Sequence, residues 1–195
     1  PRIDLSFNTA NVCDNDSVTL TNTSFLTSGT ANFAWEFGDG SGVVGQNSTK
    51  HLYDTFGVYT VTLFGITNNS CIDSLKSQVQ VYAQPIAKYT VASGCLGTFS
   101  DFTNKTIVPA GVGINYIWDF ADGFTSSLKS PKHQYQKFGT YASELIVTTN
   151  NGCIDTANRT HNVWPNPEAD FKTFGSTTNE VSELCIYETA NFTDL

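Results

Sequence analysis

The stretch Trp35-Glu36-Phe37-Gly38-Asp39-Gly40 (WEFGDG) returns in altered form as Trp118-Asp119-Phe120-Ala121-Asp122-Gly123 (WDFADG). Each copy ends an alternating apolar run. Phe33, Trp35 and Phe37 alternate with Asn32, Ala34 and Glu36; Ile114, Tyr116, Trp118 and Phe120 alternate with Asn115, Ile117 and Asp119. Period-two alternation places one set of side chains on a single face of a strand. Trp35, Phe37, Trp118 and Phe120 are therefore predicted to point into a core, with Glu36 and Asp119 pointing away. Asp39-Gly40 and Asp122-Gly123 follow at the strand end, where Asp-Gly signals a tight turn. The acidic residues also admit a reading as a calcium site, because carboxylates and carbonyls are hard-cation ligands. One Asp per turn falls well short of the roughly six to eight oxygens that calcium takes. A catalytic acid pair fails too, since neither copy offers a partner base or nucleophile. The expectation is a core tryptophan followed by an Asp-capped turn, with no metal and no cofactor.

The chain matches itself when slid by about 82 residues. Lys50 to Leu63 (KHLYDTFGVYTVTL) aligns with Lys132 to Leu145 (KHQYQKFGTYASEL). Cys71-Ile72-Asp73-Ser74 aligns with Cys153-Ile154-Asp155-Thr156, and Pro1 with Pro85 and Pro167. PEADF at 167–171 matches PIAKY at 85–89 and opens a third copy, truncated at Leu195. The predicted organisation is one domain over residues 1–83, a second over 84–165, and the N-terminal part of a third over 166–195. This reads as a window onto a longer array. Tyr59, Val61 and Leu63 alternate with Thr60 and Thr62, and no stretch carries a helical period. Turn signals separate the runs, at Asn68-Asn69 and Asn150-Asn151-Gly152 among others. Short strands and frequent turns predict an all-β fold with a small sandwich per repeat. The junctions Tyr82-Ala83-Gln84-Pro85 and Val163-Trp164-Pro165-Asn166-Pro167 carry proline and no Gly/Ser-rich linker. They predict a semi-rigid rod of beads, each roughly 30–40 Å long.

Composition excludes several function classes. Hydrophobic residues make up 39% and aromatics 13% of the 195 residues, enough for packed cores. The 26 Thr, 17 Asn and 17 Ser residues suit strands and surface loops. A formal net charge of -8 repels phosphate backbones, which excludes nucleic acid as a partner. No run of 18 apolar residues is present, so no membrane insertion is expected in this segment. The chain starts at Pro1 without a signal peptide and is read as processed or a fragment.

WEFGDG, WDFADG and the downstream Lys-His-x-Tyr-x-x-Phe-Gly-x-Tyr pattern resemble PKD (polycystic kidney disease) domains. The resemblance spans both complete repeats and the start of the third. It implies tandem Ig-like β-sandwiches of about seven strands each. Ala121 departs from it, standing where the family usually has the glycine seen at Gly38.

Five cysteines suggest an oxidising compartment and an extracellular location. Cys13 and Cys71 lie 58 residues apart, and so do Cys95 and Cys153. This spacing predicts one disulfide inside each repeat, Cys13–Cys71 and Cys95–Cys153. Cys185 takes the early position of the third repeat and is unpaired within this sequence. A zinc site is disfavoured because no CxxC or nearby Cys/His pair occurs.

His51 and His133 sit at equivalent places and are read as packing or hydrogen-bonding residues; His161 has no counterpart. Trp164 is read as packing between beads, or as a stacking platform for sugars. Asn-x-Ser/Thr sequons are frequent, as chance allows in so Asn-rich a chain. Asp16-Ser17-Val18, Asp73-Ser74-Leu75 and Asp155-Thr156-Ala157 resemble the Asp-Ser/Thr-apolar motif that Bacteroidota use for O-glycosylation. Ser17, Ser74 and Thr156 are thus candidate glycosylation residues of a glycoprotein. The overall style resembles large surface proteins of Bacteroidota, including gliding-motility adhesins and other cargo of type IX secretion. The resemblance implies a non-enzymatic stalk or filament body at the cell surface. Its partners would be neighbouring repeats, surface glycans or other cell-surface proteins. Two alternatives stand beside it: a spacer or accessory module of a secreted hydrolase, and a glycan- or protein-binding module.

Overall fold

The computed structural model describes residues 3–4, 6–27, 29–68 and 70–167, with the backbone of 171–173 and 192–194. Among the described residues every regular element is a strand, as the alternation predicts. The first repeat carries β1 (Ile3–Asp4), β2 (Phe7–Asn8), β3 (Val12–Cys13), β4 (Ser17–Asn22), β5 (Phe25–Leu26), β6 (Ala31–Glu36), β7 (Gly42–Val44), β8 (Ser48–Leu52), β9 (Gly57–Thr67) and β10 (Ile72–Tyr82). The second carries β11 (Tyr89–Thr90), β12 (Gly94–Cys95), β13 (Phe99–Asp101), β14 (Thr103–Asn104), β15 (Ile114–Asp119), β16 (Thr125–Ser126), β17 (Lys132–Gln134), β18 (Gly139–Thr149) and β19 (Ile154–Trp164). Beyond the second junction, β20 (Phe171–Thr173) pairs antiparallel with β21 (Phe192–Asp194).

Each repeat is an Ig-like sandwich. A five-stranded sheet, β3-β10-β9-β6-β7, packs against a three-stranded sheet, β2-β4-β8. The second repeat repeats the large sheet as β12-β19-β18-β15-β16. Its smaller layer is split: β13 and β14 are interrupted by Phe102, which is itself buried in the core. The inward sets of the alternating strands meet between the layers. Val18 and Leu20 from one side reach Trp35, Phe37, Val61, Leu63, Val79 and Val81 from the other. In the second repeat Tyr89 and Phe102 meet Trp118, Phe120, Leu145, Val147 and Val163. Trp35 and Trp118 are 1% and 0% exposed, so truncating either to Ala costs about 3–5 kcal/mol. Each indole N–H is satisfied, donating to Gln46 O at 3.1 Å and to Leu128 O at 2.8 Å. A buried tryptophan without such an acceptor would forfeit much of that gain.

The disulfide corrects the expected pairing. Cys13 is bonded to Cys153, with Cα atoms 5.8 Å apart, so it joins the two repeats instead of closing either. The reason lies in strand length. Cys13 sits on β3, opposite Tyr82 at the far end of β10, whereas Cys71 stands just before Ile72 at the near end. Eleven residues of β10 separate the two ends, which is about 33–36 Å of extended chain. A disulfide tolerates only about 7 Å between Cα atoms. The same geometry separates Cys95, opposite Trp164, from Cys153, which precedes Ile154 across the eleven residues of β19. Neither Cys13–Cys71 nor Cys95–Cys153 can form in this fold. Cys71 and Cys95 are exposed, and Cys185 lies outside the described residues.

Candidate functional site

The two WxF(G/A)DG segments build the same small assembly at the end of β6 and of β15. Asp39 Oδ1 accepts from the Ser41 backbone N–H at 2.9 Å and from its hydroxyl at 2.6 Å. The other oxygen, Oδ2, lies 2.6 Å from His51 Nε2. Asp122 does the same, accepting from the Phe124 N–H at 3.2 Å and facing His133 Nε2 at 2.7 Å. Each imidazole stacks flat on the preceding aromatic: His51 on Phe37 with centroids 4.0 Å apart, His133 on Phe120 at 4.1 Å. Edge-on, each meets the tyrosine two residues later, Tyr53 or Tyr135. Those tyrosines close the unit by donating to Phe37 O at 2.8 Å and to Phe120 O at 3.0 Å. Gly40 and Gly123 both hold φ +92, a left-handed turn conformation that favours glycine.

The electrostatics follow from these contacts. Burial pushes the Asp39 carboxyl up, but hydrogen bonds from Ser41 and His51 outweigh it and leave the group below its ordinary value. Burial, with the Asp39 charge nearby, raises the Tyr53 phenol to about 12. Tyr135 is pushed up for the same reasons, with Asp122 as the charge. The Ser41, Asp39 and His51 side chains contain the ingredients of a hydrolytic triad, wired wrongly for it. The Ser41 hydroxyl donates to the carboxylate and not to the imidazole, so no base receives its proton. The second repeat has Phe124 in place of Ser41 and keeps the clamp regardless. Both carboxylate oxygens of Asp39 are engaged by protein donors, and among the described residues no three His, Cys, Asp or Glu side chains converge on a common point. The assembly is a turn clamp that ties β6 to β8 and β15 to β17.

His161 is the residue that sequence reading passed over. It is 4% exposed, lies among Phe102, Tyr135 and Tyr141, and neither ring nitrogen has a hydrogen-bond partner. Its register partner is Tyr141, as Tyr59 is the partner of Val79, so His161 occupies the core place of Val79. Alternation with buried Val163 carried this signal. Burial and nearby His133 hold its pKa below the usual histidine value.

A second assembly is the junction. Besides the Cys13–Cys153 bond, the Gln84 N–H donates to Asp14 Oδ1 at 2.5 Å, and Gln84 Nε2 donates to Ile154 O at 2.9 Å. The Ala87 N–H donates to Asp155 Oδ2 at 2.7 Å. Pro85, between them, is buried. Asp155 of the Asp-Thr-Ala motif thus has a structural task. The hydroxyl-bearing residues Ser17, Ser74 and Thr156 are all exposed. Trp164 is 55% exposed and stands on β19 opposite Cys95. Elsewhere a groove is lined by Asp122, Phe124, Gln136, Lys137 and Tyr141.

The repeat, its sandwich and its clamp find a match among known families. The family model for the PKD domain matches residues 1–81 and again residues 82–163. The chain belongs to the PKD domain family. The chain is 44% identical over 70 residues to a microbial collagenase of Vibrio alginolyticus, covering 35% of this chain and 9% of the collagenase. Another match, 33% identical over 76 residues, is to the pre-pro-metalloprotease PrtV of Vibrio cholerae, covering 39% of this chain and 8% of PrtV. Among solved structures, the PKD1 domain of Vibrio cholerae PrtV is 30% identical with a TM-score of 0.38, covering 42% of this chain and 98% of that one. The chain therefore spans less than a tenth of the length of these curated relatives. By name they are a collagenase and a metalloprotease, the second with a PKD1 domain of solved structure; the resemblance to gliding-motility adhesins and type IX cargo gains no support from them.

Proposed function

We propose that these PKD repeats form a stiff, non-catalytic spacer in an extracellular hydrolase. They would hold a catalytic domain at a set distance from a substrate-binding region of the same polypeptide. The observation that carries this reading is the 44% identity over 70 residues to a collagenase. The covalent and hydrogen-bonded junction between repeats supports the stiffness, and an accessible disulfide-forming chemistry supports an oxidising, extracellular setting. The experiment is peptide mass spectrometry on the source material to recover the parent reading frame. A hydrolase domain on the same polypeptide sustains the reading. Deleting the repeats should then slow attack on insoluble substrate and leave hydrolysis of a short peptide unchanged. An array of many such repeats ending in an anchoring domain would overturn it.

That second outcome corresponds to the cell-surface stalk, which one observation favours. The Cys13–Cys153 bond links successive repeats, so pulling on the ends loads a covalent tie at the joint. Partners in that case would be surface glycans or other surface proteins. O-glycans on Ser17, Ser74 and Thr156 would fit either setting, and an intact mass equal to the bare polypeptide would remove them.

A further inference from the structure

We propose that the Cys13–Cys153 bond is one rung of a head-to-tail series, in which Cys95 bonds the late cysteine of the repeat opening at Pro167. This does not depend on whether the parent is a hydrolase or a stalk.

Cys95 reproduces Cys13 in its backbone setting. Val12 and Cys13 pair in parallel with Val81 and Tyr82; Gly94 and Cys95 pair in parallel with Val163 and Trp164. The Asp14 N–H donates to Tyr82 O at 2.7 Å, and the Leu96 N–H donates to Trp164 O at 2.8 Å. Asp16 and Thr98 close the following turn on the carbonyls of Cys13 and Cys95, both at 3.1 Å. Cys13, held this way on the edge strand of the large sheet, reaches Cys153 of the next repeat. Cys95 is exposed, outside any disulfide, and a full strand length from Cys153.

The structure also describes what such a thiol receives. Cys153 ends a tight turn closed by Thr149 and Gly152, and Asp155, two residues on, grips the incoming chain at Ala87. The partner of Cys95 should therefore be a turn cysteine followed by an apolar residue and aspartate, the Cys-Ile-Asp order that both complete repeats carry. Leu96 replaces Asp14 at this second joint, so the Gln84–Asp14 hydrogen bond has no counterpart there. The covalent rung then carries more of the joint. Each rung forms when two thiols lose two protons and two electrons. The electrons pass by thiol–disulfide exchange to a disulfide oxidant of the oxidising compartment, which leaves as its dithiol.

The test uses protein purified from its source without reductant. Accessible thiols are alkylated, the protein is digested, and linked peptides are sequenced. The expected result is a Cys13–Cys153 pair, together with Cys95 linked to a peptide outside residues 1–195 that reads Cys-apolar-Asp. Alkylated Cys95 would overturn the proposal. So would Cys95 bonded to Cys71, Cys153, Cys185 or any other peptide, or the absence of the Cys13–Cys153 pair.

Discussion

Replacing Cys13 and Cys153 together by serine measures how a single covalent tie is shared between two folding units. With the first repeat folded, Cys13 is fixed beside Tyr82. Unfolding the second repeat then releases only the chain from Ala83 to Cys153. With the second repeat folded, Cys153 precedes Ile154, whose carbonyl accepts from Gln84. Unfolding the first repeat then releases only Cys13 to Gln84. Although the bonded cysteines are 140 residues apart, each unfolding event therefore opens a loop of about 70 residues. Chain entropy assigns such a loop about 4 kcal/mol of stabilisation at 25 °C. For domains of this size that corresponds to a melting shift of roughly 15–30 °C. Differential scanning calorimetry of the wild type and of C13S/C153S, both without reductant, reads it directly. The repeat that unfolds first should take nearly all of this shift, because the full 140-residue loop is worth only about 0.6 kcal/mol more than one of about 70 residues; reduced wild type should match the double variant. If neither transition moves by more than about 5 °C, or if both fall by the full amount, the loop argument is wrong. An intradomain pairing would give that second outcome, because removing Cys13 and Cys153 would then break two separate loops of 58 residues each and lower both transitions by about 4 kcal/mol.

The remaining expectations concern the clamp and the buried histidine. Y135F removes the hydroxyl that donates to Phe120 O at 3.0 Å in a site 2% exposed, and should destabilise the second repeat by about 1–3 kcal/mol in urea unfolding with an unchanged slope. Gly38 has φ +86, and a Cβ there would lie 2.7 Å from Thr60 O and 2.8 Å from Thr60 N; G38A should lower the stability of the first repeat by about 1–3 kcal/mol, measured the same way. A121G should act in the opposite direction, because Ala121 holds a left-handed φ of 64° that costs an alanine about 1 kcal/mol. His161 is kept neutral in the folded state by burial, so its folded pKa lies below the ordinary 6.5. Unfolded chains then bind more protons, and the stability of the second repeat should fall as pH drops below that value, levelling off beneath the folded pKa. H161V, which copies Val79, should raise stability at neutral pH and lack this component of the acid loss; equal pH slopes in the two proteins would refute the assignment.

Much of the fold was legible because period-two alternation is a local property. Trp35, Phe37, Val61 and Leu63 had to share a face once their strands formed, and the second copy repeated the message at Trp118, Phe120 and Leu145. The Asp-Gly turns were equally local. The Asp–His clamp was half visible: the repeat singled out Asp39, Asp122, His51 and His133, but their contact depends on two strands lying side by side. His161 was hidden because its polarity masked a core position that alternation with Val163 marks and the register with Tyr141 fixes. The cysteines mark the clearest divide. Equal spacing of 58 residues says that the cysteines repeat, and it says nothing of where strands carry them. The sequence alone determined the repeat, the strand pattern, the buried aromatics and the turns, since each is written in neighbouring residues. Only the tertiary structure decided which cysteine meets which. An eleven-residue strand puts the early and late cysteines of one repeat at opposite ends, and head-to-tail stacking brings those of successive repeats together.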